Sequence, residues 1–493
     1  MAGGRIRPLG LAAISVLALA GHLATPAGAD PPPLAALASF NVSTLSPGYD
    51  PQVHDYVVRC QNRGVTVDTH ALPPWQVAIG SGPFRSGDHA VFVPLRTGRE
   101  FTVTVQQSGS QEFHRYYVRC LPNNFPTYTF TKSGPVSPQF FTADDAFAPI
   151  PQRYAMIFDN NGVPIWWYHL SVQGPQVLPD GHILWFRANG QASQYEIRRL
   201  DGQVVRRLGT KAGASVDGHD LQLLPGGGYL LGGHFQQSGV DLSPYGGPSN
   251  ADVLNAELQE ISPQGKLLWD WKSQNHIARS ETGRWWPYII GRPTENGYDI
   301  PHWNSIEPHG NAVIASFRQV DAVYKINKAT GNIVWKLGGS TTPRSLTVLG
   351  DPRAYPLGGQ HDARLLPDGT LSIFDNRTYL TSGQPRVVQY SIDQVARTAT
   401  LVGSITDPDI PLSYCCGSAR QLPNQDWLIN WGRASKIAQS GGSIGGYTPD
   451  GQRTFLLTFQ STFSYRAQPV PPGTLSVKQL RKNMDVMCAS GCP

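Results

Sequence analysis

Charge is scarce in this sequence. Asp, Glu, Lys and Arg make up only 15% of the 493 residues, and the formal net charge is +5. No basic stripe interleaved with aromatics is present, so nucleic acid is not an expected partner. Long apolar runs are missing beyond the N-terminus, which leaves no candidate membrane span. No glycine loop closes on a lysine to cradle phosphates, so no nucleotide cofactor is called for. Cysteine is limited to six residues. What is plentiful is turn formers and large rings: 52 Gly and 41 Pro with 12 Trp and 19 Tyr. That mixture suits short strands, tight turns and a large core, hence an all-β protein. The length calls for two or three domains.

Residues 1–29 read as a signal peptide. Arg5 and Arg7 precede an apolar run over 9–20, and Ala27-Gly-Ala29 supplies small residues for cleavage. The run is too short for a membrane span. A secreted, extracytoplasmic and soluble mature protein is therefore expected. Export permits disulfides, and six cysteines allow about 15 pairings. Cys60 and Cys120 each end a Tyr-rich strand in Val-Arg-Cys, and that shared context pairs them. The pairing of Cys415, Cys416, Cys488 and Cys492 stays open. Their spacing does not match a zinc knuckle.

Residues 30–122 alternate apolar and polar positions between turns rich in Gly, Pro and Asn, as at Val65-Thr-Val-Asp and Glu100-Phe-Thr-Val-Thr-Val. This suits a small Ig-like β-sandwich. The opening Leu45-Ser-Pro-Gly-Tyr-Asp-Pro resembles cadherin-like modules of exported bacterial proteins. The module carries no catalytic constellation; binding, homodimer formation or spacing are the roles open to it.

Residues 123–493 are a repeat of two alternating hairpins. One turns at Leu178-Pro-Asp-Gly, Leu224-Pro-Gly-Gly, Glu307-Pro-His-Gly, Leu366-Pro-Asp-Gly and Leu422-Pro-Asn-Gln. The other turns near Asp159, Asp201, Ser262, Lys328, Asp393 and Thr448, often with Trp following. Two hairpins make a four-stranded blade, so a six-bladed β-propeller is expected. The unpaired hairpin near Asp159 would be completed by strands from the chain ends. Residues 236–299 hold extra length and would form a lid or substrate wall.

A histidine stands six residues before the turn proline in three copies: His219, His302 and His361. The copies with Gln173 and Gly417 at that register lack it, so the scaffold alone does not demand histidine. If the histidine strand is the inner one, three imidazoles converge on the channel. Arg318, Arg377 and Arg433 each lie ten residues after their turn proline. Imidazoles beside a guanidinium point to an anionic substrate with tetrahedral oxygens. Asp220 and Asp362 follow histidines directly and, on a strand, face the other way. His234 and His309 fall outside the register and are expected on the surface. The repeat Trp and Tyr residues are expected to pack between strands.

The ordered set His219-Asp, His302-x-Asn304, Arg318 and Gln360-His361-Asp, on a propeller behind a β-sandwich, resembles the arylsulfate sulfotransferases. That resemblance implies an exported enzyme passing a sulfuryl group from a phenolic sulfate donor to a phenolic acceptor. It implies that His361 is transiently sulfurylated, and that His219, His302 and Arg318 hold the sulfuryl oxygens. Asn304, Arg377 and Arg433 join the set as substrate-binding residues. No cofactor and no metal are implied.

The chemistry stands independently. A neutral imidazole attacks sulfur in line, and a phenolate leaves. Arg318 offsets charge on the sulfuryl oxygens, while His302 protonates the leaving oxygen and later deprotonates the acceptor. With an unperturbed imidazole, activity would fall below about pH 6.5. Two rival readings keep the propeller: a secreted hydrolase with zinc on the three histidines, and a non-catalytic binding platform.

Overall fold

The structure, a computed structural model, describes residues 38–61, 63–145, 153–190, 192–380, 383–434, 441–489 and 491–492. The signal peptide expected at 1–29 and the Pro-rich stretch after it lie outside the described residues. The chain is all-β. Helix among the described residues is confined to short segments within 243–320 and to Val477–Met487. No helix among them is long and apolar enough to cross a membrane.

Two sheets precede residue 121. One holds Ala38–Val42, Val65–Ala71 and His89–Val93; the other holds Asp55–Val58, Phe113–Cys120, Glu100–Gln107 and Trp75–Ile79. In Val65–Ala71 every second residue is buried, so one face points inward. Both sheets feed one apolar core that includes Phe40, Val67, Val103, Tyr116 and Val118. The Cys60–Cys120 disulfide pins this unit, as the shared strand context anticipated. A second disulfide joins Cys488 and Cys492 just after the C-terminal helix. That helix starts at Ser476, whose side chain accepts from the Gln479 N–H. Arg481 on the helix lies over the Tyr117 ring and pairs with Asp55, and Asp485 pairs with Arg119. The last turn of the chain is thus tied to the first sheets.

Six further sheets follow among the described residues, each built on four antiparallel strands; three carry a fifth, Tyr298–Asp299 and Thr347–Leu349 pairing in parallel and Tyr128–Lys132 antiparallel. The Pro-x-Gly copies all fall at hairpin turns, between strands such as Ser215–Leu223 and Tyr229–Val240, or His361–Leu365 and Leu371–Asp375. The first strands neighbour one another in chain order. Val172–Val177 lies against Ser215–Leu223, that against Trp303–His309, and that in turn against His361–Leu365 and then Ser418–Gln421. The hairpin at Asp159 gains Phe140–Asp144 and, from the far end, Gln468–Pro469. Tyr128–Lys132 becomes the outer strand beside Arg453–Phe459. Buried Trp166, Trp185, Trp303 and Trp431 fill the space between sheets.

Aspartates stitch first strands together. Asp220 accepts from the Ile306 N–H and from Arg364 and Arg466; Asp362 accepts from the Ala419 N–H and from Arg364 and Arg420. Asp144 does the same for Gly174 and Tyr465. At Asp220 and Asp362 hydrogen bonds and paired guanidiniums compensate the burial, whereas at Asp144 burial outweighs the hydrogen bonds and pushes the carboxyl up to about 6. The His-Asp dipeptides therefore serve two functions on two faces: aspartate joins the sheets, and histidine is left to the other side.

Candidate active site

His219 belongs to its sheet's first strand, His302 immediately precedes one, and His361 begins one. The His219 and His302 rings meet edge to face with centroids 4.8 Å apart. Each is gripped at Nδ1 by a carboxylate, His219 by Asp217 and His302 by Asp299. The two protonate differently. Burial works against a proton on His219, but Asp217 more than offsets it, so its affinity is raised. Burial dominates at His302 and, with help from His219 and Arg318, leaves its affinity lowered despite Asp299. Side by side, His219 thus holds a proton more readily than an ordinary imidazole and His302 less readily.

His361 is almost fully buried. Its Nδ1 lies 2.7 Å from Asn376 Oδ1 and 3.0 Å from the Gly359 carbonyl. Both neighbours are acceptors, so Nδ1 carries the proton and Nε2 carries the lone pair. Nε2 accepts from the Cys416 N–H at 3.2 Å. Burial first, then Arg318, His219 and His302, hold His361 well below the ordinary imidazole range. It is neutral at pH 7, as a nucleophile must be.

Arg318 is buried beside this group. Its backbone N–H donates to the His302 carbonyl and its Nη2 to the Tyr414 carbonyl at 3.4 Å, while Nε has no partner. Its guanidinium lies 4.4 Å above the Trp285 ring and 5.5 Å from that of Tyr288. Tyr379 touches both rings and leads on to Tyr414. Trp285 and Tyr288 come from the 236–299 insertion, which the sequence suggested as a substrate wall. It also supplies Asp299.

The remaining expected residues divide. Asn304 is buried; its amide donates to the Gln360 carbonyl at 2.6 Å while Oδ1 is left without a partner. It therefore braces the strand that delivers His361. Arg377 is buried with Nη1 donating to the Tyr355 carbonyl. Arg433 is exposed, its guanidinium 5.9 Å from the Tyr414 ring and its backbone N–H donating to the Cys415 carbonyl. His234, expected on the surface, instead reaches inward: Nε2 is 3.2 Å from Asp217. The reason is pairing, since Tyr229–Val240 runs antiparallel to the strand of His219 and brings His234 opposite Ser215. His309 is half-buried.

Sequence reasoning missed Asp217, Asp299 and Asn376. Asp217 and Asp299 stand two and three residues before their histidines, so no single offset reveals them. Asn376 directly precedes Arg377, which the register did mark. Among the described residues, no group of three or more His, Cys, Asp or Glu is arranged to hold a metal ion.

The model of the family described as Arylsulfotransferase (ASST) matches residues 136–466. No curated protein matches. Among solved structures, the periplasmic gluconolactonase PpgL of Pseudomonas aeruginosa is similar over 67% of this chain and 98% of its own, at 12% identity and a TM-score of 0.39. A quinonprotein alcohol dehydrogenase-like protein of Bacteroides thetaiotaomicron is similar over 86% of this chain and 98% of its own, at 7% identity and a TM-score of 0.31. Apo AztD of Citrobacter koseri is similar over 67% and 97%, at 10% identity and a TM-score of 0.31.

Proposed function

The chain belongs to the arylsulfotransferase (ASST) family, and we propose that it moves the sulfuryl group in two steps through an N-sulfohistidine at His361. Membership makes it a transferase, an aryl sulfotransferase acting on small molecules. The donor is a phenolic sulfate ester and the acceptor a phenol. The observation that carries the two-step reading is the state of His361: neutral, its Nδ1 proton committed to Asn376 and Gly359, and its Nε2 lone pair met by the Cys416 N–H at 3.2 Å.

In the first step Nε2 attacks sulfur and the bond from sulfur to the aryl oxygen breaks. The positive charge that develops on the ring is met at Nδ1–H by the two acceptors. Arg318 stabilises the sulfuryl oxygens, and the Cys416 N–H, losing its lone-pair partner, is adjacent to them. His219, whose hold on a proton Asp217 strengthens, is suited to protonate the leaving phenolate. In the second step neutral His302 takes the acceptor's proton while the acceptor oxygen attacks sulfur, the bond from sulfur to Nε2 breaks and the electron pair returns to His361. Exchange of one proton from His302 and one to His219 with solvent resets the site for the next cycle.

The six sheets with neighbouring first strands support a six-bladed β-propeller over 123–493, and the two sheets on one core support a cadherin-like or Ig-like sandwich over 30–122. The aromatic cluster of Trp285, Tyr288, Tyr379 and Tyr414 is assigned to the aryl rings, Arg433 to the mouth, and Asn304 and Arg377 to the walls around the substrate. Secretion after cleavage near residue 29 accords with two disulfides. A homodimer would use the N-terminal module.

The test is direct. The protein is mixed with 4-nitrophenyl sulfate without acceptor, quenched and digested. The peptide containing His361 should gain one sulfuryl group and lose it when phenol is added. Turnover with no such adduct on that peptide would sink the intermediate.

A further inference from the structure

Cys415 and Cys416 have no side-chain part in that reaction, yet they adjoin it closely. Their Sγ atoms are 2.7 Å apart, nearer than two non-bonded sulfurs pack, and neither is in a disulfide here. Cys416 holds a left-handed φ of 67°, a conformation that non-glycine residues keep only when surroundings impose it. The surroundings are explicit. Its N–H donates to His361 Nε2, and its carbonyl accepts from Asn376 Nδ2 at 3.0 Å. The Cys415 carbonyl accepts from the Arg433 N–H at 3.1 Å, and the Gly417 N–H donates to the Tyr465 carbonyl at 2.9 Å. The backbone around the two thiols is thus fixed to His361 itself, to Asn376 that holds it, and to Arg433 and Tyr465. Cys416 is buried and Cys415 is the more exposed residue of the pair.

We propose that Cys415 and Cys416 form a redox site: a disulfide oxidant converts them to a vicinal disulfide, and this bond sets how well the pocket accepts an anionic sulfate ester. The inference rests on the reading of His361 and Arg318 as the sulfuryl site. The exchange is a pair of displacements. The Cys415 thiolate attacks one sulfur of the external disulfide and expels one thiolate. The Cys416 sulfur, as its proton leaves, attacks the Cys415 sulfur of that mixed disulfide and expels the second. Two protein thiols are oxidised, one external disulfide is reduced to two thiols, and the two protons end on those thiols.

The direction of the effect follows from charge. The contact with Cys416 lowers the Cys415 thiol's hold on its proton, and Arg318, Arg433 and His219 lower it further. Wherever the Cys415 thiolate forms in the dithiol state, that anion competes with the substrate for the positive field of Arg318. Disulfide formation removes that anion and leaves the guanidinium to the sulfuryl oxygens. The oxidised protein is the better binder of donor.

The experiment uses the full chain equilibrated with glutathione disulfide or with dithiothreitol. Free thiols are alkylated with N-ethylmaleimide and the peptide spanning 415–416 is weighed. The expected result is two adducts after dithiothreitol, and after glutathione disulfide a peptide with none that is lighter than the dithiol by two hydrogens. The KM for 4-nitrophenyl sulfate should be several-fold lower in the oxidised protein. In the Cys415→Ser, Cys416→Ser double variant, which keeps the other two disulfides, KM should no longer respond to either reagent. Alkylation of both cysteines after the oxidant overturns the proposal. So does an equal KM in the two states, or a redox response that survives in the double variant. Should 4-nitrophenyl sulfate not turn over at all, the sulfotransfer reading fails, and the alkylation result still decides whether the bond forms.

Discussion

Asn376 holds His361 from one side and Cys416 from the other: its Oδ1 lies 2.7 Å from His361 Nδ1, and its Nδ2 lies 3.0 Å from the Cys416 carbonyl. A single amide thereby fixes the imidazole tautomer and the residue whose N–H faces the opposite nitrogen. Asn376 donates a third bond, to Ser413 Oγ at 2.7 Å, so its own orientation is set.

Replacing Asn376 separates these contributions. Asn376→Ala leaves Gly359 as the remaining acceptor for Nδ1–H, and kcat should fall about tenfold, corresponding to about 1.4 kcal/mol. Asn376→Asp places a carboxylate against the ring and favours imidazolium. The acid limb of kcat/KM should then move to higher pH than in the wild type, which a pH series with 4-nitrophenyl sulfate measures. An unmoved limb would detach Asn376 from the titrating group.

The wild-type acid limb itself should lie below the ordinary imidazole value of about 6.5, because burial and Arg318 hold His361 neutral. The same depression affects stability. Below about pH 6.5 the unfolded chain binds a proton that the folded chain refuses, so His361 lowers stability as pH falls. His219 works in the opposite sense: its raised affinity adds stability below that pH, which is lost as pH rises through its folded value. Melting curves of His361→Asn between pH 7 and 5.5 should show a shallower loss than the wild type. The same variant should transfer no sulfuryl group.

Asp217→Asn removes the carboxylate that strengthens the hold of His219 on its proton. General acid help matters most when the leaving group is poor. Transfer from phenyl sulfate should drop by up to about 10²-fold, and transfer from 4-nitrophenyl sulfate by much less. A uniform drop across a series of leaving groups would mean that Asp217 acts only on structure.

Trp285 lies face-on to Arg318 and shields it from water. A partly desolvated cation–π contact contributes about 1–2 kcal/mol. Trp285→Ala should therefore raise KM for aryl sulfates roughly tenfold with a smaller change in kcat. Trp285→Phe should recover part of the loss.

The two disulfides should differ in what their removal costs. Cys60–Cys120 spans 60 residues and Cys488–Cys492 spans four. On chain-entropy grounds the first contributes about 4 kcal/mol and the second about 2 kcal/mol. Cys60→Ala with Cys120→Ala should lower Tm clearly more than the C-terminal pair does, as calorimetry can read, with kcat little changed.

The hairpins and the histidine register were legible because each depends on local chemistry repeated at fixed spacing. A Pro-x-Gly turn sets its strands, and a position six residues earlier is carried along with it. Aspartates following histidines were also legible, since a strand sends neighbours to opposite faces. The carboxylate partners were not. Asp299 reaches His302 from a short strand that pairs with Ala251–Ile261 and not with its own hairpin. His234 approaches Asp217 through strand pairing, which position in the sequence does not display. The aromatic cover on Arg318 comes from the insertion, whose composition was visible but whose folding back over the site was not. The Val477–Met487 helix escaped notice too, because a single short amphipathic segment carries little signal beside a long β repeat.

The return of the chain end to the Asp159 hairpin has a temporal consequence. Arg466, which binds Asp220 and the Asn304 carbonyl, and Tyr465, which meets the His219 ring edge-on, follow the strands of five of the six sheets in the chain. A nascent polypeptide can assemble those five sheets and still lack the side chains that close the centre. Competence for catalysis then begins only when residues 465–466 have been added and docked.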